Sequence, residues 1–363
     1  MTRVPILPIP KNYKTQDELV DHFVGHILTL RADRRAAFEQ GQGDIAKPEK
    51  AMSDDEKIAR GLICDRDIHR AKRRAQRMSR HFDEALGMRH LHATERARLV
   101  ALGPSVAAVT IESEHRADEM AAQLEAEMPW MRAANEKVWQ DMRLAARRDG
   151  VFTVAPLLVD GPPGVGKSTW ARRVAQLVGA PSVLLDATKG GAGMELAGLE
   201  RGYSSSQPGR PVEAILTHKV ANPVVVVDEI CKASTRFRSK SETPFADTLL
   251  SMIEPATSRK WDCVYFRVPF DMSHVSWIMT SNNRLGIPAV LRSRLTIVEV
   301  ASPGLAHLAE FVTLEGRKRD LSQPAIDAVI DALQRVDISG LSLRSVSRML
   351  RLAEVIETRP MVH

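Results

Sequence analysis

Residues 157–169 read LLVDGPPGVGKST, an apolar run entering a glycine-rich loop that ends in Lys-Ser, and few sequence patterns restrict a fold so tightly. The apolar residues read as a strand and those after Lys167 as the start of a helix. Gly161, Gly164 and Gly166, with Pro162, Pro163 and Val165 between them, let the backbone turn with its N–H groups facing inward. There they can hold phosphate oxygens at a helix N-terminus. Lys167 adds a positive charge for the β- and γ-phosphates, the Ser168 hydroxyl is placed to ligate a magnesium ion, and Thr169 closes the motif. The expectation is a P-loop that binds ATP with Mg2+.

The chain has 363 residues, 44% of them hydrophobic, which allows several domains around an ordinary globular core. Its formal charge of +6 favours acidic partners in general and singles out none. Cys64, Cys231 and Cys263 are odd in number and widely separated, so neither a disulfide framework nor a zinc site is expected. Pro5, Pro8 and Pro10 interrupt the N-terminal apolar residues, and no apolar run has the length of a membrane span. These features predict a soluble, cytoplasmic protein without a membrane partner.

Three regions follow from the patterning. Residues 1–125 are rich in Ala, Arg, Glu, Leu and Met at helical spacing and read as an all-helical N-terminal region, with 41–55 as a polar loop. Residues 126–300 contain TVAPLLVD, PSVLLDAT, NPVVVVDE, VSWIMTS and LTIVEV. These five runs, separated by helical stretches, predict an α/β core with a parallel five-stranded sheet. Residues 301–363 return to amphipathic helices and read as a helical lid.

The run NPVVVVDEI supplies the second half of a nucleotide site. Four valines make a strand buried on both faces, which delivers Asp228 and Glu229 to the crevice at its C-terminal end. Asp228 is the candidate Mg2+-side carboxylate, and Glu229 the candidate general base for an attacking water.

DEICK at 228–232, TLLSMIEP at 248–255, TSNN at 280–283 and IPAVLRSRLTIV at 287–298 agree in order and spacing with one known pattern. The region from roughly 130 to 350 resembles the AAA+ module of Lon proteases. That resemblance implies a P-loop NTPase fold that hydrolyses ATP. It places Asn282 at sensor 1, orienting the water, and Arg294 at the arginine finger that reaches a neighbouring subunit's nucleotide, with Arg292 as the nearby rival. Arg344 falls at sensor 2 in the lid, and Arg348 has a structural role. A trans-acting arginine implies a homo-oligomer, as a hexameric ring. Tyr203 takes the aromatic position of the first pore loop, where the family grips extended polypeptide, although Ser204 replaces the usual aliphatic neighbour. Phe237, between Arg236 and Arg238, either forms a second pore ring or stacks on nucleic acid. The family's Ser-Lys peptidase domain would need a long further segment after the lid, so no intrinsic peptidase is expected.

In HRAKRRAQRMSRH, Arg70, Lys72, Arg73, Arg74, Arg77 and Arg80 cover much of one helix. They form either a solvated basic face or a site for nucleic acid or an acidic partner. His69, His81, His90 and His92 lack an accompanying ligand set, so no metal is assigned to them. Trp130 and Trp139 read as packing anchors. Three functions remain open: a Lon-like ATPase that remodels or unfolds protein, a nucleic-acid-coupled ATPase in DNA transactions or phage defence, and a nucleotide-dependent switch or scaffold.

Overall fold

A computed structural model describes residues 2–10, 13–40, 63–189, 191–202, 206–233, 245–336 and 341–358. The chain forms two compact units, one spanning 8–104 and the other joining the residues up to Leu7 with 105–363. Among the described residues, no helix is long and apolar enough to cross a membrane.

The 8–104 unit is helical, with α1 (Gln16–Gln40), α2 (Asp65–Ala85) and α3 (Ala93–Val100). Thr15 and Glu18 exchange backbone-to-side-chain hydrogen bonds of 2.7 and 3.3 Å, a reciprocal cap that starts α1. The α2 helix packs on α1. Its buried positions Asp67, Ala71, Ala75 and Asp83 recur every four residues until the last step. Arg31 meets the buried carboxylate of Asp67 at 2.8 Å.

In the larger unit, β1 (Arg3–Val4) and β2 (Val106–Ala107) form a short antiparallel ladder, an addition to the helical N-terminal region. Helices α4 (Glu114–Glu127) and α5 (Arg132–Arg147) then pack against each other. Ala117, Met120 and Leu124 of α4 join the same apolar cluster as the central sheet, which is why the larger unit begins at Ser105. At the centre of that cluster Trp170, fully buried, donates to Asn135 Oδ1 at 2.7 Å. Asn135 in turn donates to the Met128 carbonyl at 3.1 Å, so the buried polar groups are paired.

The core elements follow in chain order. They are β3 (Leu157–Asp160), α6 (Lys167–Val178), β4 (Ser182–Asp186), α7 (Ala192–Ala197), α8 (Arg210–His218), β5 (Val224–Asp228), α9 (Phe245–Ile253) and α10 (Pro255–Ser258). Next come β6 (Trp261–Asp262), β7 (Pro269–Phe270), β8 (Ser276–Ser281), α11 (Ala289–Arg292) and β9 (Thr296–Glu299). Five of these strands form one sheet in the order β4-β5-β8-β3-β9, and every pairing is parallel. The residues Leu157–Val159 and Val224–Val227 are fully buried, as apolar runs covered on both faces must be. β6 and β7 form a separate two-residue antiparallel ladder that the alternation in the sequence does not foreshadow.

The lid consists of α12 (Leu305–Lys318), α13 (Gln323–Gln334) and α14 (Leu343–Glu357), each packed on the other two. Ser322 caps α13, while Ser342 and Ser345 cap α14 reciprocally. Leu308, Ile326, Leu333, Val346 and Leu350 bury the shared face.

Candidate nucleotide site

The sheet order brings the separate sequence motifs together. β8 lies between β3, which precedes the glycine-rich loop, and β5, which carries the acidic pair. All three strands are parallel, so their C-terminal ends open on one crevice. A cleft of about 1030 Å³ occupies that position. Its walls include Gly164, Lys167, Ser168 and Thr169 from the loop, Asp228 and Glu229 from β5, Asn282 after β8, and Arg344 from the lid.

Gly166 begins α6 with φ +92°, a left-handed backbone that side-chain-bearing residues rarely adopt. The lid closes directly over this turn, because Leu343 N–H donates to the Gly164 carbonyl at 3.1 Å. Lys167 is 7% exposed. Its ammonium donates to the carbonyls of Gly161 and Pro162, both at 2.7 Å, and to Asn282 Oδ1 at 2.8 Å. Burial pushes its pKa below the usual lysine value, and the negative charges of Asp160 and Asp228 oppose that shift.

Ser168 Oγ donates to Asp228 Oδ1 at 2.7 Å, and the Thr280 hydroxyl donates to the same carboxylate oxygen. Thr280 Oγ1 also accepts the Glu229 backbone N–H at 3.1 Å. Glu229 sits at φ 53°, left-handed and not glycine, and that backbone turns the chain sharply at the strand end. Its carboxylate receives Asn282 Nδ2 at 3.4 Å and Lys232 Nζ at 2.6 Å. Asn282 thus bridges the loop lysine and the strand-end glutamate.

The oxygen donors fit a divalent ion of the magnesium type, for which one hydroxyl and one carboxylate beside phosphate oxygens are the usual set. The loop fits phosphate, with a buried cation and a helix N-terminus at one place. Met128, Trp130, Phe311 and Leu314 add apolar surface to the cleft. Trp130 donates Nε1–H to the Val165 carbonyl at 2.9 Å and meets Phe311 edge-to-face, with centroids 6.3 Å apart. At the same end, Arg173 and Glu127 pair at 2.6 Å, which holds the glutamate carboxyl below its usual range and raises the guanidinium.

Not every residue singled out in the sequence faces this cleft. Gly161 and Pro162 contribute carbonyls to Lys167, Pro163 lines the wall, and the Val165 side chain is buried in the core. Arg294 and Arg292 do not line it. Arg294 pairs with Glu254, and Arg292 donates to the Arg284 carbonyl at 3.4 Å. Tyr203 and Phe237 lie outside the described residues. Two participants carry little sequence signal. The sequence reads Trp130 as a packing anchor, yet it also walls the cleft. Thr280 is visible only as part of TSNN, although it links Asp228 to Glu229.

Known proteins match parts of this sequence. The model of the AAA family, described as the ATPase family associated with various cellular activities, matches residues 157–302. A Lon protease of Elusimicrobium minutum is 37% identical over 139 residues, 38% of this chain and 16% of that protein. Lon protease 4 of Sorangium cellulosum is 27% identical over 298 residues, 75% of the chain and 35% of the relative. Lon protease 2 of the same organism is 31% identical over 216 residues, 55% and 26% respectively. The chain therefore spans between 16% and 35% of the length of these relatives. The core of this chain, residues 157–302, matches the AAA family model, and the chain is similar in sequence to Lon proteases.

Proposed function

We propose that the chain hydrolyses ATP in a homo-oligomeric ring and uses the cycle to remodel or unfold protein substrates. The observation that carries the hydrolytic part is the Asn282 bridge between Lys167 and Glu229. It gathers a phosphate-binding cation, a candidate base and an orienting amide into one crevice.

In this reading the loop backbone and Lys167 hold the β- and γ-phosphates. Ser168 and Asp228 hold Mg2+, which when bound neutralises charge on the phosphate oxygens. Glu229 accepts a proton from water as the water attacks the γ-phosphorus, whose bond to the β,γ-bridging oxygen breaks to release ADP and phosphate. Asn282 fixes that carboxylate and the water relative to the phosphate. The wall of Trp130 and Phe311 takes the adenine, and Arg344 brings the lid onto the phosphates. Arg294, exposed and outside the lining of its own cleft, completes the site of a neighbouring protomer. The protein-substrate part draws its support from the relatives, whose names make them proteases.

The test is ATP turnover with and without an unfolded protein. Turnover should rise with that substrate. Lys167→Ala should abolish nucleotide binding, while Glu229→Gln should keep it and slow turnover by ~10²-fold or more. Turnover indifferent to unfolded protein rejects the remodelling part, and normal turnover in Glu229→Gln rejects the assigned base.

A further inference from the structure

The α2 helix carries a feature that the ATPase module does not use. Arg66, Arg70, Arg73, Arg77 and Arg80 recur at alternating steps of four and three. At ~100° per residue they fall within an arc of roughly 80°, and at ~1.5 Å per residue they form a line about 21 Å long. The buried positions Asp67, Ala71 and Ala75 lie on the other side of the helix, and all five arginines are exposed.

This stripe does nothing for the fold. Residues 68–82 contain no Asp or Glu, so like charges meet along the helix at i, i+3 and i, i+4, which works against helix formation. Among the described residues, none of the five guanidiniums has an ion pair or hydrogen bond. Arg74, off the stripe, instead lies over the Phe23 ring at 5.0 Å. On one flank Arg66 and Arg73 share a polar cleft of about 1130 Å³ with Asp17 and Asp21 of α1, yet no ion pair forms across it.

We propose that α2 docks along the phosphate backbone of duplex nucleic acid. A regular line of guanidiniums matches a regular line of phosphates. An acidic protein partner would need an apolar anchor at the centre of its interface, and Met78, the one large apolar side chain of α2 that is exposed, falls about 80° outside the arc. Single strands are gripped by stacking bases on aromatic rings. Phe82, the aromatic residue of α2, is half-buried against Tyr13 with centroids 5.5 Å apart. Backbone contact to a duplex is the mode that remains. It is independent of how the ATPase site works.

The experiment is fluorescence anisotropy of the full chain with a labelled DNA duplex, repeated from ~50 to ~200 mM salt. Five phosphate contacts predict a log–log slope of about −4.5. The triple variant Arg70→Gln/Arg73→Gln/Arg77→Gln should reduce the slope to about −2 and weaken binding at least ~100-fold at low salt. Its melting temperature should be unchanged or higher, because like-charge repulsion is removed, whereas a structural role would lower it. The corresponding triple lysine variant should retain binding, which keeps the test decisive if the glutamine variant fails to fold. A wild-type slope shallower than about −2, equal affinity in the glutamine variant, or polyglutamate or single-stranded DNA bound as tightly as the duplex would each overturn the proposal.

Discussion

Single atoms decide much of what the candidate site can do. Thr280 is the clearest case, since one hydroxyl steers Asp228 and caps the backbone of Glu229 in its left-handed turn. Thr280→Val should leave that part-buried N–H without its hydroxyl partner, at a cost of about 1 kcal/mol, and slow ATP turnover, while Thr280→Ser restores both. Thermal melting and steady-state turnover of the two variants check this, and a valine variant with normal turnover would remove Thr280 from the site. Gly161 is constrained by space: a Cβ there would fall inside contact distance of the Val300 carbonyl, a backbone atom that cannot swing away. Gly161→Ala should therefore displace the loop carbonyl that holds Lys167 and lower nucleotide affinity. Calorimetric titration with a non-hydrolysable ATP analogue would show the loss, and wild-type affinity would contradict it.

At the scale of elements, α5 holds a carboxylate that works against the fold. Asp141 is buried with one oxygen unpartnered, and burial raises its pKa despite the neighbouring Lys137 ammonium. The charged form is thus disfavoured in the folded state. Stability from this group is fully present below the ordinary carboxyl pKa and is lost as pH rises through the raised one. Asp141→Asn should melt higher than wild type at neutral pH, and the gap should close as pH falls towards 4, where wild type is protonated too. A variant that melts lower than wild type at neutral pH would show that the pair with Lys137 outweighs burial. The same scale sets what the sequence makes legible. The central strands β3, β5 and β8 announce themselves because they are covered on both faces. The edge strands β4 and β9 are partly exposed and are legible mainly as short β-branched or apolar runs. The β6–β7 ladder is not, since two residues per strand cannot display an alternation. The placement of α4 with the core is equally hidden, because its composition matches that of the helices before it and only tertiary burial of Ala117, Met120 and Leu124 distinguishes it. Of the cleft, the contiguous loop and the Asp228–Glu229 pair can be read directly. Trp130 and Thr280 gain their places through contacts that span 35 and 52 residues.

At the scale of the whole molecule, the proposal is that each protomer completes its neighbour's reaction centre. Arg294 is exposed, pairs with Glu254, and stands outside the cleft of its own chain, whereas Glu229 lies within it. Turnover per protomer should accordingly rise with protein concentration and reach a plateau once assembly is complete. Arg294→Ala should retain nucleotide affinity and lose ~10³-fold or more in rate. Arg292→Ala, measured beside it, separates the two candidate arginines. The most direct test is to mix inactive Arg294→Ala protein with inactive Glu229→Gln protein. Interfaces that pair an intact Glu229 from the first with an intact Arg294 from the second should restore about a quarter of the wild-type rate if protomers mix at random. A mixture no faster than the sum of its two components, under conditions where the protomers demonstrably co-assemble, would contradict a shared site.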